Sequence, residues 1–422
     1  MNLKEQNYLT KLIRKQSKKN TNKKIVYALS PNSFSNKDII EGVKILLSKR
    51  ITMGEITKKF EKEFAKFIGS KYALMVNSGS SANLLATFAL VNPIKKNRLK
   101  SGDECLIPSL CWSTSLWPIV QAGLKPKFVD IDPKTLNISL ADLKKKITKK
   151  TKAIMGVHIL GNSTDMDALM DLVKKNKLYL IEDTCESLGS SFKKKYLGNF
   201  GDFGTYSFYY SHQITAGEGG MIVCNDKKDY EILVSLRSHG WSRGPFYEKI
   251  KKQNPSLDPR YIFFNSGFNL RPTDIQASIG HSQFKRLDSF IYNRKFNKDK
   301  IINSLTKDKR WNDQFSFIEI ISNVNPSYMV LPFLINEQFK LKKKSFIKKL
   351  EKFGIETRPV ISGSFINQPA SKLYNLNTKK MKFEEAQKVQ DLGFVIGLHT
   401  KKLNNDLIKN ITDGLFLIND VS

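Results

Sequence analysis

The chain has 422 residues with 40% hydrophobic content, enough for a large folded unit and a smaller one, each with its own core. No apolar run approaches the ~20 residues of a membrane-spanning helix, and Met1-Asn-Leu-Lys-Glu-Gln-Asn-Tyr8 lacks the apolar stretch of a secretory signal. The expectation is a cytoplasmic protein with no membrane partner. A formal net charge of +31 would suit nucleic acid. Only 11 of the 70 basic residues are arginine, however, and the lysines fall in short scattered runs without interleaved aromatics, so nucleic acid is not expected as a partner.

Residues 1–26 are polar and lysine-rich, with a weak apolar rhythm at Leu9, Leu12 and Ile13, and read as a frayed basic extension. Helical spacing follows over Asp38 to Lys49 and Thr57 to Phe67, then a buried strand at Tyr72–Val76 and a helix from Ser80 to Leu90. Between those last two, Asn77-Ser-Gly79-Ser80-Ser81-Ala-Asn83 combines small residues with a helix start. Such a turn lets backbone N–H groups approach an anion, and it is equally a good N-cap. Apolar runs at Cys105–Pro108, Lys127–Asp130, Ala153–Val157 and Leu178–Ile181, separated by helical stretches, are the signature of an α/β protein with a mostly parallel sheet.

Trp112 lies between the first two of these runs, where a core tryptophan would look the same. Asp183 follows the last, at the carboxyl edge where such sheets place their sites, though capping a helix would also explain it. Then comes Ser207-Phe-Tyr-Tyr-Ser-His212-Gln-Ile-Thr-Ala-Gly217-Glu-Gly-Gly220: a β-rich stretch, a polar loop carrying a histidine, and a glycine turn into the strand Met221–Cys224. Imidazole, with an ordinary pKa of about 6.5, accepts and returns a proton near neutral pH.

Long helical patterns occupy Pro272 to Leu305. Strand-like Tyr328–Ile335, a helix near Ser345–Phe353, strand-like Gly354–Arg358 and a helix near Leu407–Ile418 close the chain. A large domain over 27–290 and a smaller α+β C-terminal domain over 291–422 are expected. His239, Arg243 and Arg358 are candidate substrate contacts, with surface or interface roles equally open.

The order Gly79-Ser80-Ser81, Trp112, Asp183 to Glu186, Ser207, His212, then Asn269 in Gly267-Phe-Asn-Leu-Arg271, resembles the DegT-type sugar aminotransferases over nearly the whole chain beyond residue 27. Their cofactor segment reads roughly Ser-Phe-x-x-x-Lys-x-x-x-x-Gly-Glu-Gly-Gly. The resemblance implies the type I fold of pyridoxal 5'-phosphate (PLP) enzymes. In this family the lysine amine condenses with PLP; His212 stands in its place, and imidazole cannot make that bond. Keeping a base while discarding the anchor implies a PLP/pyridoxamine phosphate (PMP) 3-dehydratase. It would remove the C3 hydroxyl of a nucleotide-sugar bearing a 4-keto-6-deoxy unit, with L-glutamate as amino donor. Ile51-Thr-Met-Gly-Glu55, Phe208-Tyr-Tyr-Ser-His212, His239-Gly-Trp-Ser-Arg243 and Arg358-Pro-Val are similar to the branch acting on GDP-linked 4-keto-6-deoxymannose.

By the same resemblance, Gly79, Ser80, Ser81 and Ser207 hold the cofactor phosphate, Trp112 stacks on the ring, and Asp183 keeps the pyridine nitrogen protonated. Glu186 takes the place of a common glutamine at the phenolic oxygen, and His212 is the acid/base. Asn269 would reach the phosphate in a neighbouring subunit, which implies a homodimer with shared sites. The other histidine-bearing branch holds an iron–sulfur cluster on cysteines downstream of the histidine. Here no cysteine follows Cys224, and Cys105, Cys111, Cys185 and Cys224 form no Cys-x-x-Cys pair, so neither a cluster nor another metal site is expected. A catalytically silent or regulatory homologue and an aminotransferase with an atypical site are the alternatives. Decay of the lysine would not keep Asp183, Ser207 and Trp112 in register, and no other lysine lies beside the motif.

Overall fold

Strands buried on both faces must be apolar along their whole length, and the continuous apolar runs of this chain form such strands. The computed structural model describes residues 1–17, 25–30, 34–242, 247–376 and 381–421. Its first five strands are β1 (Tyr72–Val76), β2 (Glu104–Pro108), β3 (Lys125–Val129), β4 (Thr151–Val157) and β5 (Tyr179–Asp183). A short hairpin, β6 (Ser191–Phe192) and β7 (Lys195–Tyr196), precedes β8 (Phe203–Ser207) and β9 (Gly220–Cys224). Seven of these make one sheet in the order β1-β9-β8-β5-β4-β2-β3. Pairs β2–β3, β2–β4, β4–β5 and β5–β8 are parallel; β9 runs antiparallel to both β1 and β8. This is the expected α/β architecture with a mostly parallel sheet.

The helix Gly79–Val91 is apolar almost all round and correspondingly buried, packing under the sheet with Ser78 as its N-cap. A second sheet is built from β10 (Phe315–Ser316), β12 (Val330–Ile335), β13 (Thr357–Arg358) and β14 (Gly393–Gly397), in the order β10-β12-β14-β13, all antiparallel. Strand β11 (Val324–Asn325) instead joins the β6–β7 hairpin. No helix among the described residues is long and apolar enough to cross a membrane.

Four features correct or refine the sequence reading. Residues 3–17 form a helix rather than a frayed arm, its start fixed reciprocally: Glu5 N–H donates to Asn2 Oδ1 (3.0 Å) and Asn2 N–H to the Glu5 carboxylate (2.7 Å). Tyr27, expected to open the large domain, is fully buried in the core of the smaller sheet, its hydroxyl donating to Gly397 O at 2.8 Å. The long pattern from Pro272 is two helices, Asp274–Phe284 and Leu287–Thr306. At the break Arg286 leaves helical geometry (φ −115°) and its guanidinium reaches the fully buried Asp38 carboxylate. Gly354, expected to begin a strand, ends a helix at φ 104°, and pairing is confined to Thr357–Arg358.

Helix Lys227–Arg237 is tied to the helix Glu55–Ile68 by a buried ion pair and to β1 by a hydrogen bond. The Arg237 guanidinium donates to Glu61 Oε1 and Met75 O, both at 2.8 Å, while Glu61 also accepts from Met75 N–H at 2.8 Å. Burial pushes the Glu61 carboxyl up, against the pull of Arg237. Removing one member of such a pair leaves an uncompensated buried charge. Arg237→Met is therefore expected to cost about 3–5 kcal/mol, read from the denaturant midpoint.

Candidate active site

Strands β5 and β8 end side by side in Asp183 and Ser207, and the helices that follow β1 and β2 begin at the same edge. The cavity there, about 690 Å³, is lined by Gly79, Ser80, Trp112, Asp183, Glu186, Ser207 and His212. Arg358 closes it from the smaller sheet.

Asp183 is 4% exposed and caps no helix, since a turn follows it. Its Oδ2 accepts from Asn83 Nδ2 and Ser115 Oγ, both at 2.7 Å, and its Oδ1 accepts from Cys185 N–H at 3.1 Å. Asn83 is itself oriented, because Thr205 Oγ1 donates to its Oδ1 at 2.6 Å. A buried carboxylate held from three segments is a fixed negative charge, suited to a protonated ring nitrogen.

The helix start lies against β8 with no room for a side chain: a Cβ on Gly79 would sit 2.5 Å from Ser207 Cβ and 2.9 Å from Cys185 Sγ. Ser80 and Thr114 share a hydrogen bond of 2.8 Å at the cavity wall. Ser81 does not line the cavity; its hydroxyl donates to Asn77 Oδ1 at 2.6 Å, inside the cap. Trp112 is 56% exposed, a free indole face on the cavity rather than a core residue.

Burial holds two groups of the cavity uncharged. Burial, reinforced by the Asp183 charge against a hydrogen bond from Leu160 N–H, raises the Glu186 carboxyl to about 8. At neutral pH it carries a proton and can donate, as a glutamine amide would. Burial lowers the His212 imidazole to about 4, helped by the Arg294 charge and opposed by the Ser207 main chain and Asp183. Its Nδ1 is buried without a hydrogen-bond partner. At neutral pH the ring is uncharged and open to a proton.

His239 and Asn269 do not line this cavity. Asn269 is exposed, with its Oδ1 accepting from Arg271 Nε at 3.0 Å. Arg243 lies outside the described residues. Sequence reading had not singled out Tyr209, Tyr210, Glu218 or Glu356, which also line the cavity. Glu356 was within reach, because residues two apart on an extended segment share a face and Arg358 was already a candidate. Among the described residues no cluster of His, Cys, Asp or Glu is arranged to hold a metal ion.

The mostly parallel sheet, the buried aspartate at its carboxyl edge and the close-packed glycine-serine turn beside it define a PLP-dependent enzyme of fold type I. The chain belongs to the DegT/DnrJ/EryC1/StrS aminotransferase family, whose model matches residues 34–416. GDP-4-keto-6-deoxy-D-mannose 3-dehydratase of Yersinia pseudotuberculosis is 37% identical over 393 residues, covering 92% of this chain and 97% of the relative. A crystal structure of a histidine-to-asparagine variant of GDP-4-keto-6-deoxymannose-3-dehydratase with bound GDP-perosamine superimposes with TM-score 0.85 at 36% identity, over 92% of this chain and 100% of that one. Another structure of that dehydratase, with a trapped PLP-glutamate geminal diamine, gives TM-score 0.82 at 33% identity, over 92% and 100% of the two chains.

The residues present fit PLP. Glycine is required at 79 because a Cβ there would strike Ser207 and Cys185, and this close packing keeps Ser80 and Ser207 together on the cavity wall as hydroxyl donors; Trp112 offers an unpacked face, and His212 Nδ1 is buried without a partner.

Between about pH 4.5 and about 8 the folded chain holds a Glu186 proton that the unfolded chain releases, so this carboxyl contributes less stability as pH rises through that window. Glu186→Gln keeps a donor and removes the titration. Its denaturant midpoint is expected to exceed that of the parent at pH 8.5 and to approach it at pH 5. Equal differences at both values would place the Glu186 carboxyl in its ordinary range.

Proposed function

We infer that this chain is a PLP/PMP-dependent nucleotide-sugar 3-dehydratase, with GDP-4-keto-6-deoxy-D-mannose as substrate, L-glutamate as amino donor and a 4-keto-3,6-dideoxy sugar as product. The observation that carries the reading is the buried, uncharged His212 in the cavity beside Asp183, with no lysine among the described residues that line it. The absent lysine weighs against an aminotransferase with an atypical anchor. The assembled wall of Asp183, Ser207 and Trp112 weighs against a silent homologue.

When bound, PLP supplies the amino-group exchange with glutamate and the electron sink through which the C3 hydroxyl leaves. Asp183, fixed by Asn83 and Ser115, holds the pyridine nitrogen charged. Trp112 supports the ring face, Glu186 donates its proton to the phenolic oxygen, and the Gly79–Ser80 turn with Ser207 receives the phosphate on backbone N–H and hydroxyl donors. His212 takes a proton from the cofactor's C4' carbon and returns one to the departing C3 oxygen. A neutral imidazole can begin that cycle, and the imidazolium it becomes can finish it. Arg358 and Glu356 contact the substrate side.

The working unit we propose is a homodimer with shared sites. Arg358 is the one cation among the described residues that line the cavity, whereas the ligands together bring three phosphate groups. Asn269 and its neighbour Arg271, both exposed, would supply donors to a second copy. His239 and Arg243 belong to the same proposed contact with substrate. Four free cysteines favour a reducing, cytoplasmic location.

Incubation with PLP, glutamate and GDP-4-keto-6-deoxymannose is expected to yield a product deoxygenated at C3, identified by mass. His212→Asn should retain PMP binding and lose about 10²–10⁴-fold in turnover, the usual worth of a positioned acid/base group; near-normal turnover would move the proton transfer elsewhere. For the shared site, mixing inactive His212→Asn with inactive Asn269→Ala subunits should restore part of the activity, because one site of each heterodimer holds both parental residues. Subunit exchange without recovery would overturn the sharing.

A further inference from the structure

Arg294, in the helix Leu287–Thr306, is 4% exposed and pairs with no carboxylate among the described residues. Its guanidinium is spent on main-chain carbonyls: Nε donates to Leu398 O at 3.0 Å, Nη1 to Gln213 O at 2.9 Å and Nη2 to His212 O at 3.1 Å. Burying a cation without a counter-charge is costly unless its donors find acceptors, so the place of these bonds is informative. Two of the three acceptors are the carbonyls of the histidine and its successor.

The rest of the loop is held in the same manner. Gln213, 1% exposed, donates from Nε2 to Glu186 O and to Ser327 O (3.1 Å), while His212 N–H donates to Tyr209 O at 3.1 Å. On the helix, Asn297 flanks Arg294 and donates to His399 O (3.0 Å) and Lys401 O (2.8 Å), docking it on the segment after β14. The loop is thus clamped between that helix, the chain leaving the smaller sheet and the turn that carries Glu186.

We propose that Arg294 is the positioning residue of the His212 loop: its planar fork, bonding carbonyls of both the loop and Leu398, sets where the imidazole stands in the cavity. The inference rests on the acid/base reading of His212. Lysine cannot reproduce it, because one ammonium lacks the rigid fork that spans three separate carbonyls.

The test uses the full chain with Arg294→Lys and Arg294→Met. In cofactor-free protein, amide hydrogen exchange is expected to quicken at least tenfold over residues 208–214 and to stay unchanged in β4 and β5. With substrate, kcat should fall about 10–100-fold, the scale of a misplaced reacting group, with KM for the nucleotide-sugar within twofold. Added to His212→Asn, either substitution should cause less than a twofold further loss, since a residue that acts through the imidazole has nothing left to position.

Full additivity with His212→Asn, or exchange that quickens throughout the sheet, would overturn the proposal. If Arg294→Met does not fold, Arg294→Lys carries the same comparison. Should His212→Asn itself keep full turnover, the functional reading fails, and the exchange of residues 208–214 still decides the clamp.

Discussion

The Asp183 carboxylate is the constraint on which the site is built. A charge taken out of water is costly unless its oxygens are satisfied, and Asn83, Ser115 and the Cys185 N–H satisfy them from the two helix starts and the turn after β5. Thr205 of β8 steadies Asn83 in turn. One buried oxygen pair thereby sets the depth of both helices and the spacing of two strands. The close approach of Gly79 to Ser207 follows from it, because the first turn of the helix cannot retreat without releasing Asn83.

Desolvation then decides what the cavity can do. The same loss of water that keeps His212 uncharged leaves Glu186 in possession of its proton, so the cavity holds a neutral acceptor and a neutral donor. Sites that do acid and base chemistry at one pH commonly push neighbouring groups apart in this way. The Asp183 charge acts on both, making it harder for Glu186 to ionise and easier for His212 to accept charge.

Much of this was legible beforehand, and the reasons are local. Strands β1 to β5 announce themselves because a two-faced burial demands apolar side chains throughout. Asp183 and His212 could be placed by the motif order around them. Partners of Asp183 could not, since Asn83 and Ser115 lie 100 and 68 residues away and nothing local marks them. Ser81 misled for the opposite reason. It stands in the right turn, but Asn77 one helical turn back captures its hydroxyl. Strand β14 escaped because it follows a helix directly and is bracketed by Gly393 and Gly397, which read as breaks. The halt at Arg286 depends on a buried carboxylate 248 residues earlier.

The segment 25–30 crosses the smaller sheet so closely that a Cβ on Gly397 would meet Leu29 O at 2.0 Å, and Leu29 N–H donates to the Glu356 carboxylate at 2.9 Å. Leu29 and Ser30 face the same cavity as Arg358. The cavity wall beside Arg358 is therefore shaped by an arm that the seven-stranded sheet does not own, while Asp183 and Ser207 stand on that sheet. On the proposed division of cofactor and sugar between these two walls, affinity for the one and choice of the other can drift independently, which gives a lineage room to change substrate without rebuilding its chemistry.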